Sequence, residues 1–306
     1  MIAAMNRRRF LKTSLASSAS AGLLQAAEDS EFKFRYIVGS SMYGGLPLAE
    51  ILPEVPKTGA EFIDIWPKSH GTQREQVDEM GHDAFQQMLA KNAVKLGCST
   101  RYDLGPFGLQ AEMKIIAKLG GDLLICGGKG VKGLEGEELK AGVKAFAEQL
   151  KPHAEAAGEA GVRIGIENHA NNLIHTPDSL KWLAEFAPEQ VGVALAPYHL
   201  ETLDLSADHL AELVLALGDR MLMFYAWQHG HGCMKKLPKE EELLQMPGRG
   251  DLDFTPIIAA LKKIGYAGYT EIFMHPVPRG IPILPTAAET TAEINRGRAY
   301  LEGLDV

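Results

Sequence analysis

The chain has 306 residues, 46% hydrophobic and 23% charged, with 31 Lys and Arg against 39 Asp and Glu for a formal charge of −8. That balance lacks the clustered cations that grip nucleic-acid phosphates, and no run reaches the roughly 18 apolar residues of a membrane span. Gly and Pro are scattered, so one large domain, or at most two, is expected.

The first element reads as an address. Residues 6–12 are NRRRFLK and lead into TSLASSASAGLLQAA. A basic start, a short weakly apolar stretch and small residues at Ala26 and Ala27 form an export signal. The paired Arg followed by Phe10, Leu11 and Lys12 resembles the twin-arginine type. That resemblance implies an export-machinery partner for the precursor and a periplasmic destination. Residues 1–27 are therefore read as signal and 28–306 as the folded domain. Cutting after Ala26 leaves 280 residues and moves the charge to −12, because the leader holds four basic residues and no acid. Cys98, Cys126 and Cys233 are too few and too widely spaced for a disulfide framework, and the first two read as buried thiols.

Eight strand-like runs follow: 34–39, 61–66, 94–99, 122–126, 162–168, 191–196, 220–227 and 269–274. Each is short, apolar and bounded by Gly, Pro or polar residues. Helical spacing fills the intervals. Leu109, Met113, Ile116 and Leu119 recur at four and three, as do Val143, Ala147, Leu150, Ala154 and Ala157. Leu210, Leu213, Val214 and Leu217 form another stripe, and Ile257, Ile258, Leu261 and Ile264 precede the last strand. The tail from Pro285 reads as a covering helix. Strand and helix alternating this often predict a closed (β/α)8 TIM barrel of parallel strands. The rival open sheet lacks its glycine fingerprint, since GSSMYGG at 39–45 has the wrong spacing. KKLPKEEELL at 235–244 reads as an exposed loop or helix, and GRGDLDF at 248–254 as a turn into a helix.

A barrel carries its chemistry at the C-terminal ends of its strands. Asp64 and Trp66 end the second run, with Lys68 and His70 beyond. Arg101 and Asp103 follow the third, and Lys129 the fourth. Glu167, Asn168 and His169 end the fifth, with His175 further along. Ala196, Tyr198 and His199 end the sixth, and Trp227, Gln228, His229 and His231 follow the seventh. Glu271 and His275 belong to the eighth. Seven of the ten His fall in these regions. Glu167 stands out: a carboxylate in an apolar strand needs a metal or a cationic partner to offset its desolvation.

GIENH, the later TPDSL, VALAPYHL and GRGDLDFTPIIAALKKIGYAGYTEI together resemble the sugar isomerase and epimerase family built on a xylose-isomerase-like barrel, across most of residues 32–302. The resemblance implies a divalent metal (Mn, Mg, Co or Zn) held by Glu on strand five, Asp on six, His on seven and Glu on eight. Glu167 falls on the first position. Ala196 replaces the Asp of D-x-x-H, while His199 keeps its His. His229 and His231 both suit the third position. Phe273 stands where the last Glu is expected, with Glu271 two residues earlier on the same face and His275 beyond. Three arrangements follow. A metal is held by Glu167, a strand-seven His, Glu271 and a substitute such as His199 or His275; or substrate completes the shell; or the barrel has lost metal and binds its ligand passively.

The implied reaction is proton abstraction alpha to a sugar carbonyl, with Glu167 and Glu271 as base and conjugate acid and His199 orienting a hydroxyl. Asp64, Trp66, His70, Arg101, Lys129, His169, His199 and Trp227 are the candidate contacts to a carbohydrate substrate, the two Trp stacking on a sugar face. An exported lyase of 3-ketoglycosides uses similar enolate chemistry and is one alternative. A non-catalytic carbohydrate-binding barrel is the other. Acidity and export argue against the DNA-repair activity found on related barrels. No coiled-coil seam indicates an oligomeric state.

Overall fold

The computed structural model describes residues 32–228 and 235–306. The export-signal reading lies outside these residues, as do His229, His231 and Cys233. Among the described residues, no helix is long and apolar enough to cross a membrane.

Phe34–Val306 fold as one unit. Its eight strands are β1 Arg35–Gly39, β2 Phe62–Ile65, β3 Lys95–Thr100, β4 Leu123–Gly127, β5 Arg163–Glu167, β6 Val191–Leu195, β7 Met221–Ala226 and β8 Tyr269–Ile272. They close in sequence order, and every pairing is parallel. Both faces of each strand are covered, one by the barrel interior and one by helices, which is why the strands read as continuous apolar runs. β4, β6, β7 and β8 are buried at every residue.

The helical stripes become Gln110–Lys118, Gly136–Ala160, Ala207–Leu217 and Thr255–Lys263, with Ala287–Glu302 as the closing helix. Their starts follow local chemistry. Thr176 caps Pro177–Phe186 by accepting from the Ser179 N–H, and Thr286 and Glu289 form a reciprocal capping box. The 235–244 segment differs from its sequence reading. It contains the short helix Lys239–Glu242, and Glu242 and Leu243 are buried. The Glu242 Oε1 accepts from the Val277 N–H at 2.6 Å, tying this segment to the loop after β8. Cys98 and Cys126 are buried free thiols.

Side chains alternate along a strand, so residues two apart on the inward face occupy successive layers roughly 6–7 Å apart. On β8 that order is Tyr269, Glu271 and then Phe273. Gly39 of β1 faces this column. A Cβ there would stand 2.0 Å from the Glu271 Oε1 and 3.4 Å from the Phe273 ring, so close approach requires glycine. These layers separate a buried acidic level from the aromatic mouth above it.

Candidate active site

The mouth holds an open cavity lined by Trp66, His70, Tyr102, Glu167, His169, His199, Trp227, His275 and Arg279. The aromatic rings brace one another. Trp66 stacks on Phe273 with centroids 5.6 Å apart, and Tyr198 lies parallel to Trp227 at 4.2 Å. Gln245 locks two lining residues: its Oε1 accepts from Trp227 Nε1 at 3.0 Å and from the His275 N–H at 3.2 Å, and its Nε2 donates to the His275 carbonyl at 2.9 Å.

Glu167 sits at the end of β5, in register with Gly127 and Ala194, whose small size leaves room for its carboxyl group. It is 3% exposed. Its Oε2 accepts a hydrogen bond from the Tyr102 hydroxyl, while its Oε1 lies 3.5 Å from His199 Nε2. Burial pushes the Glu167 carboxyl up to about 7, opposed by the neighbouring His169 and by the Tyr102 hydrogen bond. Burial, and then the charges of His175 and Arg279, bring the His199 imidazole down to about 3, so it is neutral at pH 7. Burial likewise lowers His70 to about 4, His169 below its ordinary range and His275 well below it. The mouth therefore offers one carboxylate that titrates near neutrality among uncharged imidazoles.

Seven of the sequence candidates meet at this cavity: Trp66, His70, Glu167, His169, His199, Trp227 and His275. Others lie elsewhere. Glu271 shares the inward face with position 273, as period-two alternation requires, but one layer deeper, and does not line the cavity. Both of its oxygens are buried without a hydrogen-bond partner. Asp64 is fully buried on β2, where its Oδ2 accepts from Thr100 Oγ1 at 2.6 Å. Burial raises both carboxyls, and the charge of Asp64 raises Glu271 further. Arg101 turns outward: its guanidinium pairs with Asp103 at 2.8 Å and with Glu112 at 2.7 Å. Lys129 is exposed over Phe107, 5.9 Å from the ring centroid.

Tyr102 and Arg279 were not singled out by the sequence. Tyr102 stands between the noted Arg101 and Asp103, and Arg279 is the one basic residue in the loop after β8. Those positions were the available signals.

Glu271 also yields a stability prediction. A carboxyl raised in the folded chain keeps its proton where the unfolded chain has lost it. Its stabilising contribution is complete below the ordinary 4.5 and is lost as pH rises through the higher folded value. E271Q is expected to flatten the pH dependence of unfolding free energy by about 1.4 kcal/mol per pH unit within that window. Urea titrations from pH 5 to 9 measure this, and parallel slopes for both proteins would refute the buried-acid assignment.

Among the described residues, the strand-six and strand-eight positions do not fit the four-ligand metal centre that the resemblance implies; the strand-seven candidates His229 and His231 lie outside them. Ala196 presents a methyl group, and its N–H and carbonyl are both bound by Asn168, at 2.8 and 3.0 Å. Phe273 places an aromatic ring where the strand-eight carboxylate belongs. Glu167 has one oxygen committed to Tyr102. Among the described residues, no group of three or more His, Cys, Asp or Glu is arranged to hold a metal ion.

Residues 52–300 match the family described as xylose isomerase-like TIM barrel. No curated protein sequence matches the chain. Solved structures share its architecture. The IolI protein with a bound zinc atom superposes with a TM-score of 0.67 at 15% identity, over 88% of this chain and 98% of that one. D-psicose 3-epimerase from Clostridium cellulolyticum gives 0.63 at 15%, over 88% and 98%. The 3-keto-D-glucoside 4-epimerase of E. coli gives 0.63 at 15%, over 88% and 99%. At this identity the likeness concerns the fold.

Proposed function

We propose, from the premise that the chain belongs to the xylose isomerase-like TIM barrel family, that it is a sugar isomerase or epimerase in which Glu167 moves a proton alpha to a carbonyl. The observation that carries this reading is the Glu167 carboxyl. It is buried at the barrel mouth, held at Oε2 by Tyr102, uncommitted at Oε1 and poised near pH 7. A base with that value is ionised in useful amount at neutrality and still strong enough to accept a carbon-bound proton. Tyr102 fixes the carboxylate plane, so the proton goes to Oε1. Neutral His199 lies beside that oxygen and is suited to orient a substrate hydroxyl. Trp66 and Trp227 form apolar walls for a sugar face. Return of the proton from Glu167 to the neighbouring carbon on the same face gives isomerisation. Delivery of a proton from solvent to the opposite face of the same carbon, with Glu167 releasing its own proton to solvent, gives epimerisation.

The direct test is solvent-deuterium incorporation into free ketoses, uronates, keto-aldonates and 3-ketoglycosides, followed by NMR. Incorporation dependent on Glu167 supports the reading, and its absence across the panel would overturn it. The same spectra reveal a released leaving group, the mark of the lyase alternative. Replacement of two ligand positions by Ala196 and Phe273 favours a second reading, sugar binding without turnover. Tight sugar binding with no exchange, with or without added Mn²⁺, Mg²⁺, Co²⁺ or Zn²⁺, selects it.

The base must be ionised to work, so kcat/KM is expected to rise with pH and reach half its plateau near 7. Tyr102 stabilises the ionised form, so Y102F is expected to move that limb to higher pH. A limb that stays in place in Y102F would remove Tyr102 from this role. Export by the twin-arginine route is proposed from residues 6–27. The N-terminal sequence of periplasmic protein tests it.

A further inference from the structure

Arg279 belongs to the cavity wall but plays no part in the proton transfer above. It lies in the loop after β8, where its Nη1 donates to the Pro276 carbonyl at 2.8 Å. Among the described residues, no carboxylate pairs with it. Glu167 is the one acid lining the cavity, and its Oε2 is taken by Tyr102. Glu242, which reaches the same loop, accepts from the Val277 N–H through Oε1 and pairs with Lys239 through Oε2. Residues 229–234, HGHGCM, contain no acid. The surrounding imidazoles are uncharged at neutral pH, so Arg279 is the fixed cation of the mouth.

The loop that carries it is tied at several points. Gln245 holds both backbone groups of His275, Glu242 holds Val277, and the Gly45 N–H donates to the Gly280 carbonyl at 3.0 Å. A guanidinium positioned before ligand arrives loses little freedom on binding, which favours recognition. With Nη1 spent on Pro276, the Nε–Nη2 edge remains, and its two parallel N–H groups match the two oxygens of a carboxylate. A phosphate dianion is ordinarily met by several donors, with backbone N–H groups of a helix N-terminus or glycine loop among them. The cavity lining supplies one cation and no such cradle.

We propose that the substrate is a sugar acid, a uronate- or keto-aldonate-type molecule whose carboxylate is clamped by Arg279 while Glu167 addresses the carbon alpha to its separate carbonyl. This rests on the isomerase or epimerase reading for the reaction, though the clamp itself is a binding property. The test is calorimetric titration of the whole chain with a panel of hexuronates and keto-aldonates, each against its neutral counterpart and against a hexose 6-phosphate. At least one acid is expected to bind about 10- to 100-fold tighter than its neutral counterpart, the range of a charge-assisted hydrogen-bond pair. R279Q is expected to erase that preference and R279K to retain part of it. Circular dichroism of both variants checks folding. Equal affinity for acid and neutral sugar, an unchanged preference in R279Q, tighter binding of the phosphate ester, or no binding by any probe would each overturn the proposal. Acid-selective binding without deuterium exchange would sink the isomerase reading and leave the clamp standing. Exchange on neutral ketoses with no acid preference would do the reverse.

Discussion

E167Q is expected to lower kcat for proton exchange by about 10²- to 10⁴-fold, the range contributed by a positioned general base, with KM altered far less. Gln has nearly the shape of Glu and retains an oxygen that can accept the Tyr102 hydrogen bond. It cannot accept a proton from carbon. Substrate contacts from Trp66, Trp227 and the imidazoles remain, which is why the loss should fall on kcat. The fold should survive, because a neutral amide replaces a carboxyl whose ionised form burial disfavours. Single-turnover deuterium exchange, with a melting curve on the same sample, measures both. Exchange within a few-fold of the parent protein would remove Glu167 from the reaction. E167D supplies the complement: it keeps the charge but withdraws the oxygens by one methylene, and partial activity would show that position matters as well as basicity.

E112A is expected to destabilise the barrel by about 3–5 kcal/mol, the cost of leaving buried charge without its partner. Glu112 stands on the helix Gln110–Lys118 and is 3% exposed. Its two oxygens accept from Arg74 Nε at 2.7 Å and Arg74 Nη2 at 3.1 Å, lie 2.7 Å from Arg101 Nη1, and receive Ser99 Oγ at 3.3 Å. Two guanidiniums from the second and third barrel units therefore converge on one carboxylate. Removing it strands both beside β3. Asp78 and Asp103 retain one partnership each, through Arg74 at 2.6 Å and Arg101 at 2.8 Å, and keep the loss from being larger. Urea unfolding measures the change. A loss below about 1 kcal/mol, the level of an exposed pair, would show that the network contributes little. R101M should likewise reduce stability and leave sugar affinity nearly unchanged, since Arg101 faces Glu112 rather than the cavity.

The contrast between Arg101 and Arg279 shows where sequence reading met its limit. Both are basic residues beyond the end of a strand, and alternation says nothing about a loop side chain once the strand has stopped. Arg101 is drawn outward by Glu112, eleven residues on, and by Asp103. Arg279 stands seven residues beyond β8, too far for any periodicity to assign it, and reaches the mouth because Glu242, Gln245 and Gly45 hold its loop. Glu271 shows a different limit. Its face followed from period two, but face is not depth. Two residues of rise carry it below Phe273 into a layer where it has no access to the cavity. Glu167 was legible for the opposite reason: it is the last residue of its strand and the one acid in an apolar run.

The sequence by itself determined the barrel. Eight apolar runs and the helical stripes between them can bury both strand faces only if the strands are parallel and covered, and about 280 residues suffice to close that arrangement once. It also singled out Glu167 as the acid–base candidate to test, because a carboxyl in that apolar strand has no local compensation. Tertiary structure alone decided which polar residues form a site. Hydroxyl, carboxylate and imidazole came together from β3, β5 and β6 through register and shear, which no local pattern encodes. The sequence had already placed Ala196 and Phe273 where the resemblance implies carboxylates; the tertiary structure decided that the described part of the mouth is walled by aromatic rings and neutral imidazoles. Among the described residues that line it, one titrating acid, Glu167, and one fixed cation, Arg279, remain.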